Sequence, residues 1–192
     1  MSESPFQKFG EWFAAAGASE PNDPNAVTLA TAGPDGRPAA RTVLLKQWDG
    51  RGFVFYGNLH SRKGREMAAN PSVALLFHWK SLARQIRIEG QVAQVGDAEA
   101  DAYFATRPRM SQIGAWASDQ SRLLASRELF DERVNAAEAR FYGREVTRPD
   151  YWSGWRLVPD YFEFWQGVDF RLHDRLVFTR KGDEWETGRL FP

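Results

Sequence analysis

The sequence predicts an α+β fold: an antiparallel sheet curled toward a barrel, with helices at its flanks. Strand-like runs in both halves of the chain are joined by tight-turn signals such as "GPDG" (33–36) and Asp49-Gly50, which imply antiparallel neighbours. A block of helical spacing over residues 97–141 interrupts those strands. No repeat, low-complexity tract or linker divides the 192 residues, so the whole of 1–192 reads as a single domain.

Taken in order, Ser4-Pro5-Phe6-Gln7 opens an N-terminal helix within residues 1–20. Ser4 caps it, Pro5 occupies its first turn, and Gln7 is placed to reach back. Phe6, Phe9 and Phe13 form its apolar stripe, and Gly17 marks its end. "AVTLATA" (26–32) and "PAARTVLLKQ" (38–47) pair as a hairpin, and "GFVFYGN" (52–58) adds a third strand. "SRKGREMAA" (61–69) is a short helix capped by Ser61 and stopped by Asn70-Pro71. Strands follow at 72–79 and 83–95. The helical insertion of 97–141 divides into 97–118 and roughly 126–141. C-terminal strands close the domain over 150–192, at 154–158, 161–165, 170–179 and 184–190.

Lys+Arg and Asp+Glu both number 25, so no global basic field marks a nucleic-acid partner. The absence of cysteine excludes disulfides, thiolate metal sites and cysteine nucleophiles. "MSESPFQKFGEWF" lacks the basic and apolar regions of a signal peptide, and no apolar run reaches the roughly 20 residues of a membrane span. A cytoplasmic protein is expected. Aromatic residues make up 14% of the chain, with 8 Trp, which suits a β-rich core or a site that stacks planar rings.

Four stretches carry candidate chemistry. In "RTVLLK", Arg41 and Lys46 are five apart, so an ideal strand sends them to opposite faces. Either a bulge intervenes or they serve two ligands. In "YGNLHSRKG", Arg62 and Lys63 fall in the first turn of a helix, where cations are disfavoured by the dipole but suit a phosphate cradle. In "YFATRPRMSQIGAW", Tyr103, Arg107 and Ser111 share one helix face if Pro108 is absorbed at a break, offering a second phosphate site. In "FEFWQGVDFRLHDR", Arg171, His173 and Arg175 alternate, so a strand would set all three in one row facing something anionic. Gln85 is an amide inside an apolar strand. Asp97 and Asp101 read as cap and solvated face, and His60 and His78 as structural or surface residues, since no metal-ligand spacing joins the histidines. Two phosphate sites, a planar-ring environment and no nucleophile or metal point to a cofactor that does the chemistry.

These same stretches resemble the pyridoxine/pyridoxamine 5′-phosphate oxidase family, and the resemblance runs from about Asp23 to Pro192. It implies an FMN-binding split β-barrel, antiparallel, with flanking helices, working as a homodimer whose sites draw on both chains. It also implies oxidation of pyridoxine 5′-phosphate and pyridoxamine 5′-phosphate to pyridoxal 5′-phosphate, with O2 as acceptor and H2O2 as product. Carried over by the resemblance, Arg41, Arg62 and Lys63 hold the FMN phosphate. Tyr56, Gly57, Gln85, Gln120, Ser121, Trp165 and Arg175 line the flavin. Lys46, Tyr103, Arg107 and Ser111 grip the substrate phosphate, with Arg171 and His173 against the reacting carbon. Gly57 departs from the hydroxyl residue common in relatives, and His78 from a proline. The alternatives are a related FMN oxidase of phenazine-type biosynthesis, or a non-catalytic binder of flavin or pyridoxal phosphate.

Overall fold

The computed structural model describes residues 4–192, beginning with helix α1 over Pro5–Ser19. Pro5 sits in its first turn, but the Ser4 side chain makes no capping bond. Gln7 donates forward to Glu11 at 3.4 Å and does not reach back, and the helix runs past Gly17 to Ser19. Strands follow at β1 (Ala26–Ala32), β2 (Pro38–Leu44), β3 (Gln47–Asp49) and β4 (Gly52–Asn58). After helix α2 (Arg62–Ala69) come β5 (Ser72–Trp79) and β6 (Arg84–Gln94). The helical insertion is α3 (Asp97–Thr106), α4 (Arg109–Ala117) and α5 (Arg127–Arg140). The chain closes with β7 (Trp152–Gln166), β8 (Asp174–Lys181) and β9 (Glu184–Arg189).

Every strand pair is antiparallel, in the order β2-β1-β5-β6-β7-β4-β3, with β8 on β7 and β9 on β8. The long strand β7 makes the sheet fork. Its first half pairs with β4 and its second half with β8, while β6 runs beside both. The expected strands 154–158 and 161–165 are therefore halves of one strand. A register slip between Glu89 and Gly90 leaves Asp160 unopposed, and such a bulge bends the strand that carries it. Only glycine fits opposite the bend, because a Cβ on Gly90 would lie 2.1 Å from the Val158 carbonyl oxygen. Bend and fork together curl the sheet into a split half-barrel.

The alternating pattern of β1 and β5 puts Val27, Leu29, Leu75 and Phe77 inside the curl, with Phe53, Ile86, Ile88, Phe162 and Phe164 from the other strands. Helix α1 closes it with its phenylalanine stripe. Phe9 is fully buried and meets Phe53 and Phe77 edge-on at centroid distances of 4.8 and 5.4 Å. A second cluster, with Phe104, Ile113, Phe141 and Trp152, fixes α3, α4 and α5 against the start of β7. The groove described below opens between this helical layer and the sheet. No helix among the described residues is long and apolar enough to cross a membrane.

Candidate active site

One groove of about 1040 Å³ gathers eleven of the sixteen residues singled out from the sequence. It reaches the upper end of the ~300–1,000 Å³ usual for small-molecule sites, a volume larger than one small ligand requires. Arg41 and Lys46 both line it, although five residues separate them. The strand breaks after Leu44, Leu45 turns into the core, and the Lys46 backbone N–H donates to Val54 O at 2.9 Å. That irregular pair of residues supplies the missing half-period.

Ser61 caps α2 by accepting from Gly64 N at 3.2 Å, which places Arg62 and Lys63 in the first turn as expected. Gly64 is required there, since a Cβ would lie 2.1 Å from Leu59 O. Lys63 is nearly buried, and its Nζ donates to Gln120 Oε1 at 2.7 Å and to Ser61 Oγ at 3.2 Å. Burial, with repulsion from Arg41 behind it, pushes the Lys63 ammonium down to about 8. The absence of a side chain at Gly57 makes room for this lysine: a Cβ would stand 3.0 Å from both Cε and Nζ. Gln120 and Ser121 complete this end of the groove, in a loop where Ser121 has φ +70°.

Rings form the opposite wall. Tyr56 stacks on Tyr103 at 4.0 Å and on Trp152 at 5.5 Å, nearly parallel to both. Arg107 lies over Trp152 at 4.7 Å, held there because α3 ends at Thr106 and α4 begins after Pro108. That break is the one expected at Pro108, and it sets Tyr103, Arg107 and Ser111 along one groove wall. Burial pulls the Arg107 guanidinium below its ordinary value and raises the Tyr56 phenol to about 12. Arg107 Nη1 and Tyr56 Oη are both buried without a hydrogen-bond partner. An unpaired buried guanidinium N–H costs free energy unless a ligand takes it.

Gln85, Trp165, Arg171, His173 and Arg175 do not line this groove; they belong to a second cluster on β6, β7 and β8. Trp165 stands opposite Gln85 on one side and Arg175 on the other. The His173 ring lies 4.5 Å from Trp165, and its Nδ1 accepts from Val168 N at 3.2 Å. Arg175 donates from Nε to Glu163 Oε1 at 2.7 Å, and Arg87 donates to the other oxygen at 2.8 Å. Burial would raise the Glu163 carboxyl, but Arg175 and Arg87 outweigh it and hold it below the ordinary value. The expected row of three cations is corrected here. The strand begins only at Asp174, and Phe170 and Arg171 adopt φ of +57° and +63°, so strand alternation does not align Arg171 with Arg175. Phe170, Leu172 and Phe191 are strongly exposed around this cluster.

Several residues at the groove were not singled out from the sequence. Trp152 forms part of the ring wall, and Asn58 ties the end of β4 to Ser118 O at 3.3 Å. Thr31 and Glu66 stand behind Arg41. Glu66 is four residues after Arg62 on one helix, a spacing that signals an ion pair. Asp97 and Asp101 both pair with Arg148, at 2.8 and 2.6 Å, and Gly96 occupies the cap position before Asp97. His60 and His78 are exposed, and no His/Asp/Glu group among the described residues could hold a metal ion.

Fold and groove together define a split-barrel protein with a cationic, ring-walled site. A family profile described as pyridoxamine 5′-phosphate oxidase matches residues 14–141, and a second, the pyridoxine 5′-phosphate oxidase C-terminal dimerisation region, matches 152–192. The chain belongs to the pyridoxamine 5′-phosphate oxidase family. The pyridoxine/pyridoxamine 5′-phosphate oxidase of Sphingopyxis alaskensis is 62% identical over 192 residues, covering all of this chain and 89% of the relative. That of Gluconobacter oxydans is 58% identical, covering all of this chain and 96% of the relative. Among solved structures, PhzG from Burkholderia lata 383, in complex with tetrahydrophenazine-1-carboxylic acid, superposes with a TM-score of 0.93 at 33% identity, covering 98% of this chain and 93% of that one. A pyridoxamine 5′-phosphate oxidase-related, FMN-binding protein from Nostoc punctiforme PCC 73102 shares the fold, with a TM-score of 0.78 at 15% identity, both chains fully covered.

Proposed function

We propose that this protein is a cytoplasmic, homodimeric, FMN-dependent oxidase that converts pyridoxine 5′-phosphate and pyridoxamine 5′-phosphate to pyridoxal 5′-phosphate. Dioxygen takes the two electrons and leaves as hydrogen peroxide; the amine substrate also consumes water and releases ammonia. The observation that carries the reading is one groove with two separately supported cationic groups. Arg41, Arg62 and Lys63 stand on β2 and α2, while Arg107 is held against Trp152 with a buried N–H unpaired. A flavin phosphate and a substrate phosphate fit these two groups, and the Tyr56 wall suits a planar ring between them.

When bound, the flavin supplies the two-electron acceptor for the substrate's exocyclic C–H. The chain's own residues bind and orient. Lys46, Tyr103, Arg107 and Ser111 would fix the substrate phosphate and so limit the orientations open to the reacting carbon. Gln85, Trp165, Arg175, Arg171 and His173 would reach the same site from a second copy of the chain, a reading supported by the match to a dimerisation region over 152–192. The Val168 N–H donated to His173 Nδ1 assigns the ring proton to Nε2. His173 therefore offers a donor to the substrate oxygen or nitrogen, and Arg171 adds a positive charge there.

An aerobic assay that follows aldehyde and peroxide with both phosphorylated substrates tests the reading. Turnover of either, with far weaker turnover of unphosphorylated pyridoxine, is expected. The likeness to PhzG gives the rival: turnover of a tricyclic phenazine acid, with none of the pyridoxine or pyridoxamine phosphates, would replace this reading. A flavin-loaded protein that pyridoxamine 5′-phosphate fails to bleach under nitrogen would make it a binder.

A further inference from the structure

We propose that Glu66 is a positioning residue for the phosphate end of the groove, holding the guanidiniums of Arg41 and Arg62 in the arrangement that a phosphate monoester needs. The inference rests on the assignment of that end to the flavin phosphate. A carboxylate beside an anion's seat is at first sight misplaced, because its charge repels the ligand. The geometry explains it. Glu66 does not line the groove; its side chain, 11% exposed, stands behind the two arginines on α2. Oε1 accepts from Arg62 Nε at 2.7 Å. Oε2 accepts from Arg41 Nη2 at 3.0 Å and from the Thr31 hydroxyl at 2.6 Å. Arg41 Nη1 in turn donates to Thr31 Oγ1 and to Leu29 O.

Arg41 comes from a strand and Arg62 from a helix, and Glu66 is the group that bonds to both. Its bond to Nε of Arg62 leaves both terminal nitrogens of that fork for a ligand. Two guanidiniums close enough to grip one phosphate repel each other, and a shared carboxylate offsets that repulsion before any ligand arrives. Burial would raise the Glu66 carboxyl, but the bonds from Thr31, Arg62 and Arg41 outweigh it, so the residue stays ionised at neutral pH.

Charge and positioning predict opposite signs for Glu66→Gln. If charge alone mattered, removing a negative group would tighten phosphate binding. If positioning matters, the amide keeps the shape but turns a donor toward one arginine, and phosphate binding weakens. Full-length protein stripped of flavin is titrated with FMN and with riboflavin, which lacks the phosphate, by quenching of flavin fluorescence. The wild type is expected to prefer FMN. Glu66→Gln is expected to weaken FMN by about tenfold, the loss of one charge-assisted bond, while riboflavin stays within about twofold. Thr31→Val, which removes one bond to the same carboxylate, is expected to move FMN in the same direction by a smaller factor, and it carries the test should Glu66→Gln fail to fold. Tighter or unchanged FMN binding in the variants, or equal loss for both flavins, would overturn the role given to Glu66. A wild type that does not distinguish FMN from riboflavin would overturn the assignment of the phosphate end itself, and this inference with it.

Discussion

Replacing Lys63 by methionine is expected to stabilise the ligand-free protein at neutral pH, although it removes a cation from the site. Burial and Arg41 lower this ammonium from the ordinary 10.5 to about 8. At ~1.36 kcal/mol per pH unit that difference costs the native state about 3 kcal/mol wherever the lysine is charged in both states. The bonds to Gln120 and Ser61 return part of it, at ~1 kcal/mol each, so the net gain from methionine is about 1–2 kcal/mol. Ser61 keeps its bonds to Asn58 O and Gly64 N in the variant, and Gln120 is exposed to water. The pH dependence follows from the depressed value. Between about pH 8 and 10.5 the unfolded chain holds the proton more tightly than the native one, so the wild type gains stability across that window. The advantage of methionine is therefore full below about pH 8 and closes toward pH 10.5. Urea unfolding of both proteins at one protomer concentration, near pH 7 and near pH 10, measures the difference. A wild type more stable than the variant near pH 7, or a gap that does not change with pH, would refute the reasoning.

The two glycines of the site should separate by what their Cβ would meet. Gly64→Ala faces a backbone oxygen at 2.1 Å and should cost more than ~2 kcal/mol in a thermal or urea melt, whereas Gly57→Ala crowds the movable end of Lys63 at 3.0 Å, with Trp155 at an ordinary 3.6 Å, and should cost less than ~1 kcal/mol. Arg107→Ala should raise KM for the phosphorylated substrate about ten- to a hundredfold with flavin content unchanged, as steady-state kinetics and the flavin absorbance will show. Arg175→Ala should lose flavin on gel filtration. Arg171→Ala and His173→Ala should keep it, but slow its anaerobic reduction by substrate by on the order of a hundredfold; reduction at the native rate in both would remove them from the site.

Most of the barrel was legible because its inward positions repeat with period two between clear turns, as in "AVTLATA" and "SVALLFHW". Helix α2 was legible for a similar reason, since Ser61 and Asn70-Pro71 bracket it chemically. The segment after Gln166 was not. "VDFRLHDR" alternates like a strand, but Gly167 N bonds to Ala83 O and the chain then turns through two left-handed residues, a tertiary choice that no local period records. Leu45 misled in the other direction: a two-residue break restored to one groove what alternation had separated. The placement of Arg62 and Lys63 could be read from charge set against a helix dipole, whereas Arg41 joined them through the family resemblance. Glu66 and Thr31 could not be read in this way, because their roles depend on where β1 and β2 bring Arg41.

The fork in the sheet also acts as a ruler. Trp152 at one end of β7 walls the groove, and Trp165 near the other anchors the second cluster, thirteen residues on along a strand that rises ~3.3 Å per residue, or roughly 40 Å. That strand, bent at Asp160, holds the groove and the second cluster apart within one chain, and neither Trp165 nor Arg175 lines the groove. If two copies complete each other's grooves, every site inherits one half from each chain, and damage becomes divisible. Arg107→Ala, weakened in its hold on substrate, and Arg175→Ala, weakened in its hold on flavin, would then rescue one another on mixing and refolding. Half of the dimers would be hybrids in which both lesions fall in one site and the other site is whole, so about one site in four recovers.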